Sequence, residues 1–276
     1  MWTREQLKSQ AKAILSGSYW WAFLVCFVFT VIAGIGSGSS RINTSSFVDT
    51  SNTTSYQDHM IDIDDIDGTE QLTNTQKQEL QAIIDSYFNP LTIGMGVAAA
   101  ILSLFITIFK TAFNIFVTNP LTVGYQKYFI RQHDGDINFA HLFSGFTGGK
   151  YMARVKVMFF KTLFEFLWGL LFVIPGIIKS YSYFLIPYIL ADNPDIGKDR
   201  AFEISMKTMD GEKWDLFVLQ LSFIGWYLLG LLCCCIGMYF VNPYAQTTYG
   251  EFYLVMRQKA ISNGIATPEE FGLTEV

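Results

Sequence analysis

The sequence predicts an all-α, polytopic membrane protein: a bundle of about six transmembrane helices in three antiparallel hairpins, with amphipathic helices on the cytoplasmic side. Three observations carry this expectation. Apolar residues make up 51% of the 276-residue chain, aromatic residues 16% and charged residues only 16%, whereas a soluble domain has about 25% charged residues. Mean hydropathy is positive at +0.29, and several long windows lack almost all charge, which is how spans appear in a hydropathy profile. The third observation is the stretch 157–191, VMFFKTLFEFLWGLLFVIPGIIKSYSYFLIPYILA. It reads as two apolar limbs folded back at Pro175-Gly176 (TM3 and TM4). The first limb, 157–174, reaches about 27 Å as a helix, close to the roughly 30 Å of a hydrocarbon core.

The order of elements follows from charge and turn chemistry. Residues 1–18 form a basic amphipathic helix. Thr3 and Gln6 fit a capping box, and Leu7, Ala11, Ile14 and Leu15 recur at helical spacing. No convincing small-x-small cleavage site follows, so the segment reads as an interfacial helix leading into a retained first span at 19–36. Tyr19, Trp20 and Trp21 stand where an aromatic belt belongs. Residues 37–90 then turn polar and acidic, with nine acids against Arg41 and Lys77, which marks an extracytoplasmic loop. A short helix is expected at 73–88. The run Asp62, Asp64, Asp65 and Asp67 does not fit an EF-hand, since Ile66 and Thr73 occupy positions 5 and 12.

The second span is expected at 91–118, closed by Asn119-Pro120, with Lys110 at its inner interface. A basic cytoplasmic segment follows at 119–156, with Lys127, Arg131, Lys150, Arg154 and Lys156. Its glycines (144–149) do not follow a strand, so no phosphate loop is expected. After the 157–191 hairpin comes a mixed-charge cytoplasmic segment, 192–215, with a helix at 196–209 opened by Asp195. A last hairpin at 216–256 turns near Cys233, Cys234 and Cys235, and 257–276 reads as a loose tail. Both termini therefore lie inside a multi-pass protein of the cell membrane. The cysteines, Cys26 and the triplet, lack Cys-x-x-Cys spacing and read as small apolar fillers, with acylation as the alternative.

A weak internal repeat runs through the chain. Pro120, Pro187 and Pro243 stand at the same spacing after Ile93, Phe160 and Leu216, and Asn119-Pro120 and Asn242-Pro243 lead into related aromatic strings. With Pro175 these prolines are candidate helix breaks. Broken helices build transporter sites, and intramembrane prolines also serve as plain kinks.

Several strings, among them Arg4-Glu-Gln-Leu-Lys8, Pro175-Gly-Ile-Ile-Lys179, Pro187-Tyr-Ile-Leu-Ala-Asp192-Asn-Pro194, Leu221-Ser-Phe-Ile-Gly-Trp226 and Asn242-Pro-Tyr244, resemble the DUF975 family of bacterial integral membrane proteins of unknown function. The resemblance spares the 37–90 loop, which looks like an insertion. It implies a multi-span membrane protein and supplies no activity and no site residues.

Candidate polar sites are few. Lys161 and Glu165 stand at i and i+4 inside the third span, where charge is costly and faces a cavity or partner. They read either as part of an ion, proton or substrate path or as a structural tie. Glu251, in the sixth span, is a possible partner for Lys110 or Lys161. Asp192, Asn193 and Asp195 form an Asx-rich turn with a capping role. The histidines lack metal-ligand spacing, and no nucleophile with a base is visible, so no enzyme, cofactor or metal is expected. The expected function is a non-catalytic component that binds membrane lipids or other membrane proteins and no nucleic acid. The alternative is a small permease using Lys161, Glu165 and the proline breaks. With the acidic loop outside, Met60→Cys in a background lacking the native cysteines is expected to react with an impermeant thiol reagent added to intact cells. Labelling only from the cytoplasmic side overturns this orientation.

Overall fold

The computed structural model describes residues 2–37, 77–78, 80–82, 90–147, 149–232 and 237–273. Among them all regular structure is helical: α1 (Arg4–Ser37), α2 (Pro90–Phe113), α3 (Asn119–His133), α4 (Tyr151–Leu171), α5 (Val173–Ser182), α6 (Ile186–Asp192), α7 (Lys198–Thr208), α8 (Lys213–Leu232) and α9 (Gly237–Ser262). A π-turn at Asn114–Thr118 and 3-10 turns at Phe139–Phe143 and Pro268–Phe271 complete the set. The chain divides into two units, one of Met1–Ser37 with Ala112–Val276 and one of Gly38–Thr111.

In the smaller unit, α2 exposes Leu104, Phe105, Ile108 and Phe109. Its hydroxyls are turned inward: Ser103, Thr107 and Thr111 donate to the carbonyls of Ala100, Ser103 and Thr107. A lipid-facing helix has to satisfy its polar groups within itself in this way. Lys110 lies in the last turn of α2. The acidic run 62–67 and most of the expected 73–88 helix lie outside the described residues.

In the larger unit, α1 is one uninterrupted helix of 34 residues, so the expected interfacial helix and first span are a single rod. The Thr3 and Gln6 capping box opens it, with N–H to side-chain bonds of 3.1 and 3.3 Å. Helix α1 runs along α9, with Trp2 edge-on to Phe252 and Tyr19 donating to the Phe240 carbonyl. The core lies where α3, α6 and α9 meet. Tyr188 of α6 stacks on Tyr253 of α9 at 5.0 Å, and Phe252, Leu190 and Ile189 close around them. Residues Ile186–Ala191 are all buried.

Among the described residues, four helical stretches are long and apolar enough to cross a membrane: Arg4–Gly34, Ile93–His133, Val173–Asp192 and Lys213–Leu232. These four do not coincide with the six expected spans. Every 18-residue window of α4 carries Arg154, Lys156, Lys161 and Glu165. Helix α9 carries Asn242, Gln246 and Glu251 and is not among the four. The return limb of the 157–191 hairpin is two helices, because the chain turns between Ser182 and Ile186. Helix α5, with 10 residues, reaches only about 15 Å, half a hydrocarbon core.

The prolines also act differently from expectation. The hairpin bends at Phe172, which is extended (φ −155°, ψ 138°), and Pro175 sits in the first turn of α5, where its missing N–H costs nothing. Pro187 opens α6 and is a true break. Pro120 and Pro243 break nothing. Pro120 stands behind the π-turn, where Asn119 N–H bonds to Asn114 carbonyl, which widens the helix and spares the clash of a proline ring. Pro243 lies inside α9.

The Asp195 cap and the loose tail also differ from expectation. Helix α7 starts from Gly197, with no side-chain cap. Asp195 instead pairs with Lys150 at 2.8 Å and donates its N–H to Asn193 Oδ1. Residues through Leu273 are docked: Thr267 and Glu270 form a capping box, Phe271 is buried, and Glu270 holds Arg200 at 2.6 Å. The Arg200 guanidinium keeps the Glu270 carboxyl below its ordinary range.

Both hairpin ends close on facing glycines. A Cβ on Gly176 would lie 2.7 Å from Gly169 Cα, and one on Gly237 would lie 2.5 Å from Gly230 Cα. The limbs touch backbone to backbone, as small-residue contacts allow in membranes. Gly176→Val is therefore expected to lower stability by about 1–3 kcal/mol, read as a fall in thermal midpoint in detergent. Gly34→Val, where nothing lies within 4 Å, is the control and should shift it far less.

Candidate functional site

The side chains of α4 that carry charge in an apolar run meet a cavity of about 530 Å³. Helix α3 supplies Thr122 and Gln126 to its wall, α4 Lys161 and Glu165, α6 Pro187 and Tyr188, and α8 Gln220. Ile177, Tyr181 and Phe184 supply an apolar and aromatic side. The wall forms here because Pro187 restarts the chain as α6 after α5 has ended, so Tyr188 turns inward against α3.

Lys161 Nζ lies 2.8 and 2.9 Å from the two Glu165 oxygens, and the pair is partly covered, at 17% and 25% exposure. Its i, i+4 spacing on one helix makes this contact local. Tyr181 O–H donates to Gln220 Oε1 at 2.8 Å. Two other groups in the wall lack partners: Gln126 Oε1 and the hydroxyl of Tyr188 are buried and unbonded, and Tyr188 is only 1% exposed. A buried polar group left unbonded costs about 1–3 kcal/mol, and both residues belong to the wall of this cavity.

The other sequence candidates are placed elsewhere. Glu251 is buried and bonds His133 Nδ1 at 2.8 Å, joining α9 to the end of α3. Its partner within the larger unit is therefore His133 and not Lys161, because the α9 register carries it to the end of α3. Asp192 is not a cap. Its Oδ2 accepts from Tyr253 O–H at 2.6 Å and from Arg257 at 2.8 Å, tying α6 to α9. Cys26 is buried beside Tyr125 O–H at 3.2 Å, as a filler would be, and the cysteine triplet lies outside the described residues.

Sequence reasoning missed Gln126, Tyr188 and Gln220. Gln126 and Gln220 interrupt otherwise apolar helical faces, which is a usable signal. Nothing in the sequence marks Tyr188 among so many tyrosines.

The long apolar helices and their lipid-facing surfaces define a membrane protein. Side chains at the hairpin ends, such as Leu170, Val173, Ile174 and Leu232 (82% exposed), present far more apolar surface than a soluble fold carries. Residues 169–260, about a third of the chain, match the family described as protein of unknown function (DUF975). Comparison with curated proteins gave no match, and comparison with solved structures gave none. The matched segment includes Tyr181, Tyr188 and Gln220 of the cavity and stops short of Lys161, Glu165 and Gln126.

If the Lys161–Glu165 pair is a tie, removing one charge should harm the fold more than removing both, because a lone covered charge is left behind. Lys161→Met is expected to lose about 1–2 kcal/mol, reduced from fully buried values because the pair is partly solvated. The double change Lys161→Met/Glu165→Met should recover at least half of that loss in the thermal midpoint. A double variant no better than the single one would remove the tie.

Proposed function

We propose that this protein is a non-catalytic, multi-pass component of the cell membrane, with both termini in the cytoplasm, that binds a lipid headgroup in the Lys161–Glu165 cavity. The observation that supports this most is the pairing of opposite charges with two unbonded acceptor or hydroxyl groups in the wall of one cavity. A zwitterionic headgroup complements it: its phosphate faces Lys161 and the Tyr188 hydroxyl, and its amine faces Glu165 and Gln126 Oε1. Ile177 and Phe184 and the exposed apolar face of α5 then run beside the acyl chains. Other membrane proteins are a second kind of partner, since small-residue hairpins also pack against neighbouring helices.

The permease reading keeps one supporting observation. Pro187 breaks the return limb beside a charged pair, the arrangement that transporters use to open a polar site at membrane depth. The two readings part on two variants. Tyr188→Phe removes the unbonded hydroxyl and is expected to leave the fold intact or slightly steadier. In native nanodiscs, mass spectrometry should show one zwitterionic phospholipid retained by the wild type and its retention reduced at least fivefold in Tyr188→Phe and Glu165→Gln. If no lipid is enriched and Glu165→Gln abolishes flux of a solute without lowering folded yield, the permease reading replaces the lipid one.

A further inference from the structure

A second cavity, of about 240 Å³, lies on the opposite side of the α3–α6 contact and is lined by Lys127, Ser144, Thr147, Arg154, Leu190 and Asp195, among others. Arg154 is 3% exposed. Its Nη1 donates to the carbonyls of Ser144 and Gly145, at 2.9 and 2.5 Å, and its Nη2 donates to that of Thr147 at 2.6 Å. Those bonds fasten the 144–147 turn, which is pressed so hard on α3 that a Cβ at Gly145 would meet the Pro120 carbonyl. They leave Nε buried and without a partner. Among the described residues, no carboxylate lies within ion-pair distance of Arg154 or of Lys127. The acid at the rim, Asp195, is engaged by Lys150 at 2.8 Å.

A covered guanidinium and a half-buried ammonium share this space with one lining acid, Asp195, which is already paired with Lys150, so three cations face one carboxylate and a further anion would relieve them. We propose that this cavity binds a phosphate-type oxyanion, held by Arg154 Nε and Lys127 Nζ with the Ser144 hydroxyl as a third donor. Guanidinium nitrogens with backbone-anchored geometry recognise such oxyanions well, because the donors are fixed before the ligand arrives. The structural role of Arg154 accounts for its Nη bonds but not for the free Nε or for Lys127. The volume admits a phosphate group and not an acyl chain. The same chemistry can reach the site from an anionic phospholipid headgroup or from a soluble phosphate. The proposal concerns a different cavity and a ligand of different charge from the one above, so either can fail alone.

The test uses the full chain in a neutral detergent at constant ionic strength. Inorganic phosphate and short-chain phosphatidylglycerol are titrated separately, with short-chain phosphatidylcholine and chloride as controls, and the thermal midpoint is followed. A saturable rise with phosphate identifies a soluble oxyanion as sufficient. A rise with phosphatidylglycerol alone identifies the lipid headgroup. In either case Lys127→Gln should weaken binding at least tenfold, and Lys127→Arg should keep it. Should Lys127→Gln fail to fold, Ser144→Asp, which sets a carboxylate in the same space, must abolish the rise. No saturable rise in the wild type, or a rise that survives both substitutions, overturns the proposal.

Discussion

The larger unit depends on one side chain at the end of α3. Gln132 is buried, and its amide reaches two other helices at once. Its Nε2 donates to Ser18 Oγ of α1 at 2.7 Å, and its Oε1 accepts from Thr247 of α9 at 3.1 Å. Ser18 in turn donates to the Ile14 carbonyl, so the chain of bonds ends in backbone. In a low-dielectric interior such bonds are strong and a wrong register leaves them unmade. Apolar packing alone tolerates sliding of one helix along another, whereas this three-helix contact does not. The neighbouring His133–Glu251 and Asp192–Tyr253–Arg257 contacts repeat the device, joining α9 to α3 and to α6.

With α3 and α6 held in this way, the two sides of their contact acquire different characters. On one side, Gln126 and Tyr188 turn unbonded groups toward a balanced charge pair. On the other, Lys127 and Arg154 bring two cations into a small space whose lining acid, Asp195, is shared with Lys150. Successive residues of α3 thus serve opposite cavities, because a helix turns about 100° per residue. The polar groups concentrate around α3, α6 and the ends of the hairpins nearest them. At the far ends, around Phe172 and Leu232, the exposed side chains among the described residues are apolar. This polarity along the bundle is what a membrane interface requires, since charge placed deeper in hydrocarbon costs several kcal/mol.

Local signals in the sequence were readable where local physics governs. The Thr3–Gln6 capping box, the Lys161–Glu165 pair and the apolar character of the helices all depend on neighbours within a turn or two. The prolines were less legible, because a proline reports what it cannot do locally and not how the surroundings adapt. A π-turn absorbed Pro120, the first turn of α5 accepted Pro175, and only Pro187 ended a helix run. The tail was misread for the opposite reason. Its polar composition suits solvent, but Phe271, Glu270 and Asn193 find partners that are far away in sequence.

The sequence by itself determined that this chain is helical, belongs in a membrane, and carries a charged pair in an apolar helix, because periodicity, length and transfer energy act along the chain. Only the tertiary structure decided which helices are long enough to cross, that Glu251 meets His133, and that Arg154 and Lys127 share a cavity. Those outcomes rest on contacts between residues far apart in the chain. They are settled by glycine-sized gaps between helices and by the need to pair every buried polar group, neither of which leaves a local trace.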